Sequence, residues 1–260
     1  MRAFGELRVE RDGTPVPASA FVRQKARALL ARLIAASGPV HREALCEDLW
    51  PDLAPDRAAA ALRSTLHDLR RAIEPELEAG SAASSISTDG DTIRLAVGAE
   101  DRLDVADFLR LSRPADPDEG EPERLARLRD AVDLHRGPFL AEWPYEEWAL
   151  RRREELEGAF DGALEELTRV AIACGDGGEA VRHGRRLVQR QPEREGWHRL
   201  LMRAFALDGD RAMALRQFHA CRAVLRREQG IEPGAETRRL YAELLREGDG
   251  YREGDAAQAL

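Results

Sequence analysis

The sequence predicts a mainly α protein in two domains. An α+β unit over residues 1–98 has three helices framed by short hairpins, an all-α helical-repeat domain follows over 99–247, and a disordered tail closes the chain over 248–260. Three observations predict this. Apolar spacing alternates at the start, becomes helical from Val22, and alternates again before residue 98. A Gly-Asp pair recurs at Gly175-Asp176 and Gly209-Asp210, 34 residues apart. With 260 residues and 43% hydrophobic content, the chain can bury two ordinary cores.

The stretch "FGELRVERDGTPVP" sets Phe4, Leu7 and Val9 among polar residues and turns at Asp12-Gly13, the pattern of an antiparallel hairpin. Val22, Ala26, Leu29, Leu30, Leu33 and Ile34 then mark one face of a helix that ends before Gly38-Pro39. A second helix, "HREALCEDLW", directs Leu45, Leu49 and Trp50 inward; "PDLAP" ends it, and Asp56 is the expected N-cap of the third. That third helix buries Leu62, Leu66, Leu69 and Ile73, which turns Arg63, Ser64, His67, Asp68, Arg70 and Arg71 toward solvent. In "SSISTDGDTIRLAV" Asp89-Gly90 suits a tight turn, while Ile93, Leu95 and Val97 alternate on one face. Strands, three helices and a terminal hairpin are the order of a winged helix-turn-helix. In that fold the third helix enters the major groove and the wing reaches the adjacent minor groove or backbone.

The second domain opens with "GAEDRLDVADFLRL", and the proline and acidic content of "RPADPDEGEPE" marks an exposed loop. Beyond it the offset of 34 also relates Ala180 to Ala214, Val181 to Leu215 and Leu187 to Cys221, which is the tetratricopeptide period. Leu201, Phe205, Gly209, Ala214, Phe218 and Cys221 occupy packing or turn positions of such a repeat, and Pro192 closes the first unit. Trp143, Tyr145 and Trp148 can form either an aromatic binding patch or part of a core, and core packing is the commoner fate of aromatics. "RRREE" at 151–155 can hold an anion, but a solvated helix start with internal ion pairs accounts for it better.

The formal charge of −8 argues against a general polyanion binder, because non-specific nucleic-acid affinity comes mainly from phosphate neutralisation. Residues 1–98 are nearly neutral, with 13 basic and 14 acidic side chains, so DNA contact would fall there, through a local patch. Lys25 is the only lysine, which removes a P-loop lysine and any other lysine nucleophile; GxGxxG, HExxH and GxSxG are all absent. No nucleophile is offered with its base, so no enzyme activity and no cofactor is expected. Cys46, Cys174 and Cys221 lie far apart without zinc spacing; no metal is expected, and each reads as a small buried apolar residue. No apolar run approaches the roughly 18 residues of a membrane span. "MRAFGELRVE" has no signal-peptide core, and a cytoplasmic location with no membrane partner follows.

Two segments, "RQKARALLARLIAASGPVHREALCEDLWPD" and "LRSTLHDLRRAIEP", resemble the DNA-binding domain of OmpR-type winged-helix regulators, in the version carried by the antibiotic regulatory proteins (SARP type) of actinomycetes. Two more, "DAVDLHRGPFLAEWPYEEWALRRREELEGAFDGALEEL" and "RREQGIEPGAETRRLYAEL", closely resemble the bacterial transcriptional activator domain, a tetratricopeptide-like module that follows the winged helix in those regulators. The resemblance implies a sequence-specific transcriptional regulator, an activator whose partners are double-stranded promoter DNA, RNA polymerase and a second copy of itself. Arg63, Arg70 and Arg71 would be the main DNA ligands, Ser64 and His67 lesser ones, and Arg94 a backbone contact from the wing. Trp50, Asp52 and Asp56, in "WPDLAPD", would face the polymerase. The chain departs from the family at Asp68, where a basic residue is usual, and in the acidic wing "STDGDT". Those departures suit a second reading, a helical adaptor whose winged helix has become a protein-interaction surface.

Overall fold

The computed structural model describes residues 1–11, 13–21, 24–75, 85–96 and 101–256, the last ten as backbone. Asp12, Val22 and Val97 lie outside them. The chain divides into two compact units, Met1–Arg110 with Asp133–Ala159, and Leu111–Val132 with Phe160–Leu260. The sequence draws a single line at 98/99; the compact units are instead interleaved along the chain.

In the first unit, α1 (Gln24–Ala36), α2 (Arg42–Leu49) and α3 (Pro55–Ile73) follow a short hairpin, β1 (Glu10–Arg11) with β2 (Thr14–Pro15). A three-stranded antiparallel sheet completes it, in the order β3 (Val40–His41), β5 (Thr92–Leu95), β4 (Ile86–Asp89). The predicted apolar faces are buried: Ala26, Leu29, Leu30, Leu33 and Ile34 on α1, Leu45 and Leu49 on α2, and Leu62, Leu66 and Leu69 on α3. Trp50 and Ile73 are only half-buried, because each lies at a helix end where the chain leaves the core. The residue that turns left-handed after α1 is Ser37 (φ 54°), one before the predicted Gly38-Pro39 breaker.

Phe4, Leu7 and Val9 are buried as the alternation predicts, but Gly5 (φ 88°) interrupts the strand. Phe4 is bridged to Phe139, and Leu140 donates its N–H to the Ala3 carbonyl (2.8 Å). Asp104, at the start of α4 (Asp104–Leu111), accepts from the N–H groups of Ala3 (2.8 Å) and Phe4 (3.0 Å). Burial raises its carboxyl above the usual range, and these backbone bonds oppose the shift. Arg153 donates to the carbonyls of Phe139, Pro144 and Trp143 (3.0 Å each), fastening the 139–144 loop. Sequence spacing gives no sign of this long-range pairing.

That loop corrects the reading of the aromatics. Trp143 and Trp148 are half-buried with ring centroids 6.4 Å apart, but Tyr145 is 90% exposed. The "RRREE" segment does carry an internal pair, Arg152 with Glu155 (3.1 Å).

The second unit is helical. It contains most of α5 (Glu121–Leu134), the later part of α6 (Glu147–Ala173), and α7 (Gly177–Arg190), α8 (Glu195–Leu207), α9 (Arg211–Gln229) and α10 (Ala235–Ala256). The repeat is realised residue for residue. Gly175 and Gly209 both have positive φ (80° and 82°), and Asp176 and Asp210 cap α7 and α9 by accepting from Glu179 N–H and Met213 N–H at 2.9 Å each. Ala180, Ala214, Leu187 and Cys221 are fully buried, and Val181 and Leu215 are both half-buried. Arg129 of α5 holds the buried Glu179 of α7 through its Nε (2.6 Å) and Nη2, which keeps that carboxyl below its usual range.

Burial pushes the Cys221 thiol up to about 11. Cys46 is half-buried and Cys174 is exposed at the end of α6, so only one of the three cysteines is the buried apolar residue expected. Helix α10 runs past residue 247, where the sequence predicts disorder to begin, and residues 257–260 lie outside the described part. No helix among the described residues is long and apolar enough to cross a membrane.

Candidate nucleic-acid interface

Helix α3 starts at Pro55, whose fixed φ suits the first helical position; Ala54 is its N-cap, with no side-chain cap bond. Asp56 therefore sits inside the first turn, where a carboxylate complements the helix dipole, and is not the cap predicted for it. Its exposed side chain follows the loop that includes Trp50 and the exposed Asp52. Leu53 in that loop is 40% exposed, and Trp50, Leu53, Arg42 and Arg63 line a groove of about 580 Å³ between α2 and α3.

At 3.6 residues per turn the buried positions of α3 (Leu62, Leu66, Leu69) leave one outward stripe. Arg57, Ala60, Ser64, His67 and Arg71 follow it in alternating steps of three and four, with Arg63 beside them. Ser64 is half-exposed and the others are exposed. Of the predicted DNA ligands the helix thus brings together Arg63, Ser64, His67 and Arg71. Arg57 belongs to the same stripe and is not among the predicted ligands, although a helix capped by Asp56 would already begin with it. Continuing the three-four grid back from Arg71 would have found it. A cation in the first turn is disfavoured by the helix dipole, so helix stability does not account for Arg57.

Asp68 and Arg70 flank the stripe on opposite sides. Asp68 is half-buried with Oδ2 shielded from solvent and lies beside Pro15, Val16 and Pro17, on the side of the first hairpin. Its carboxylate is engaged within the fold. Arg70 is half-buried on the wing side, and its Nη2 points to the Ile86 carbonyl of β4 (3.4 Å). One turn on, the Glu74 carboxylate accepts from both the N–H (2.6 Å) and the hydroxyl (2.5 Å) of Ser85, so the end of α3 holds the base of the wing.

The wing turns through Gly90 (φ 53°) and Asp91, with Asp89 paired to Thr92, so the tight turn sits one residue later than Asp89-Gly90. Asp89 and Asp91 are both exposed at its tip. Arg94 is exposed on β5, and its Nε donates to Ser87 Oγ across the strand pair (3.0 Å). Arg42, at the start of α2, sends Nε toward the Gly90 carbonyl (3.5 Å).

Comparison with known proteins accords with this architecture. Residues 103–245 match the family model described as "Bacterial transcriptional activator domain". The transcriptional regulatory protein MoaR1 of Mycobacterium tuberculosis is 27% identical over 94% of this chain and 78% of its own length. The regulatory protein AfsR of Streptomyces coelicolor is 28% identical over 98% of this chain but only 25% of its own length. The solved structure of M. tuberculosis EmbR in complex with a low-affinity phosphopeptide has the same fold, with a TM-score of 0.76 over 95% of this chain and 64% of that one at 24% identity. The chain belongs to the bacterial transcriptional activator domain family, among the SARP-type transcriptional regulators.

Proposed function

We propose that this protein is a sequence-specific DNA-binding regulator, an activator of transcription, in which α3 enters the major groove of promoter DNA. The observation that carries this is the exposed cationic face of Arg57, Arg63 and Arg71 with Ser64 and His67, at whose edge Asp68 is half-buried. Arginine pairs bidentately with guanine O6 and N7 or holds phosphate, while serine and histidine add hydrogen bonds to base edges. Arg70 and Arg94 contribute differently: Arg70 braces the wing, and Arg94 lies on it. The segment from the half-buried Trp50 to Asp56 in the first turn of α3, with Leu53 outward between Asp52 and Asp56, is the surface that would face RNA polymerase. The helical unit serves dimerisation or polymerase contact, and the role is not enzymatic.

The test is fluorescence anisotropy of the full chain on a duplex selected from a random pool, at two salt concentrations, with Arg63→Ala/Arg71→Ala alongside. Binding that weakens with salt and is lost in the double variant is expected. Equal binding by the double variant removes α3 from the interface. The acidic wing tip, Asp89 with Asp91, favours the second reading, an adaptor acting through protein contacts. An adaptor gives no sequence-selective shift at either salt concentration.

A further inference from the structure

The stripe on α3 runs between the wing and the first hairpin, and an inference follows that rests on the DNA reading above. On one side the wing tip presents Asp89 and Asp91 to solvent, while its arginine, Arg94, is drawn back to Ser87. Two carboxylates at a two-residue turn repel a phosphate backbone. On the other side, β1 and β2 pair Arg11 with Thr14, both exposed. These two residues form one wall of a groove of about 540 Å³, whose opposite wall is Asp68, Arg71 and Ala72 of α3. Arg71 is thus shared between the stripe and the groove.

We propose that this groove is a phosphodiester site. Arg11 and Arg71 clasp one backbone phosphate bordering the major groove, with the Thr14 hydroxyl as a further donor. The duplex is then anchored from the N-terminal hairpin, opposite the wing. Two guanidiniums and a hydroxyl supply the donors that the oxygens of one phosphate accept, and hydrogen bonds between charged partners are the strong ones. Asp68, the residue least expected beside DNA, lies in the same groove with its carboxylate already engaged within the fold.

The experiment uses the full chain on its selected duplex, with Kd measured over a series of salt concentrations for wild type, Arg11→Ala and Asp89→Ser/Asp91→Ser. Arg11→Ala should weaken binding about three- to tenfold whatever the base sequence and lower the log–log salt slope by about one. Loss of the wing carboxylates should leave affinity unchanged or raise it. Methylphosphonates placed singly along the duplex should identify one position whose neutralisation weakens wild type but no longer affects Arg11→Ala. Unchanged affinity and slope for Arg11→Ala, with binding still lost in Arg63→Ala/Arg71→Ala, would overturn the groove and leave α3 as the reader. Absence of salt-dependent binding by wild type would overturn the DNA reading itself. Arg11 is exposed on a two-residue strand, so thermal unfolding of Arg11→Ala should match wild type.

Discussion

Gly177 and Gly178 are adjacent and chemically identical, yet alanine should have opposite effects at the two. Both lie in the first turn of α7. A Cβ on Gly177 would stand 2.7 Å from both the backbone nitrogen and the Cα of Asp208, the C-cap of α8. A Cβ on Gly178 would meet nothing nearer than Asp208 Oδ1 at 3.8 Å, ordinary contact. Because the obstacle at Gly177 is backbone, relief requires the ends of α7 and α8 to separate. Overpacking of this kind destabilises by about 1–3 kcal/mol. Alanine returns at most about 1 kcal/mol of helix preference over glycine, and less than that in a first turn. Gly177→Ala should therefore lose about 1–2 kcal/mol, and Gly178→Ala should be neutral or gain a few tenths. At a urea slope of about 2 kcal/mol per M, the first should unfold about 0.5–1 M earlier by far-UV circular dichroism. A Gly177→Ala midpoint at or above wild type would refute the reasoning, since α7 and α8 would then not be held at that separation.

Two further predictions concern the same unit. Asp210→Ala should cost about 1 kcal/mol by removing the cap on Met213 N–H, and Asp176→Ala somewhat more because it also pairs with Arg129 (3.5 Å); Asp176→Asn should restore the cap but not the pair, as urea midpoints can report. His198 is buried with Nε2 on the Pro192 carbonyl (2.8 Å) and Nδ1 on Gln217 (2.7 Å), and burial lowers its pKa below the ordinary 6.5, with Glu195 opposing the shift. The unfolded chain then binds the proton more readily, so the stability from a neutral His198 is fully present above pH 6.5 and is lost as pH falls from there toward the folded pKa. His183, lowered by burial and by Arg182 and Arg186 against Glu179, adds in the same direction. Unfolding midpoints at pH 7.5 and 5.5 should differ less for His198→Gln than for wild type, and an equal difference would remove His198 as a cause.

Much of this was legible where a short-range rule governs. The apolar faces of α1 to α3 follow from helical spacing, and the 34-residue offset carried its turns, caps and buried small residues into the structure intact. What spacing cannot supply is the neighbour at each flank of a helix. Asp68 and Arg70 differ by two residues and share an outward expectation, but both are half-buried, Asp68 in the groove it lines with the first hairpin and Arg70 against the wing. The misassigned cap at Asp56 has a local cause, the ability of Pro55 to start the helix two residues earlier. Pairing of residues 3–5 with residues 138–141 joins segments over 130 residues apart and leaves no periodic trace.

On the DNA reading, the acidity of the whole chain and the cations of α3 are compatible. Non-specific affinity scales with the number of phosphates a surface neutralises, and a chain of net charge −8 with a near-neutral first 98 residues has little of it. Specific affinity depends on a few donors held in a fixed direction, and on α3 that direction is set by the burial of Leu62, Leu66 and Leu69 and by the hold of Glu74 on Ser85. Reducing the first while keeping the second raises the ratio of specific to non-specific binding, the quantity that decides occupancy among many competing sites. An aspartate at the edge of the reading helix is then consistent with selectivity. Asp68→Arg should tighten binding to unrelated duplex more than to the selected site, whereas an equal gain on both would mean that Asp68 only weakens contact.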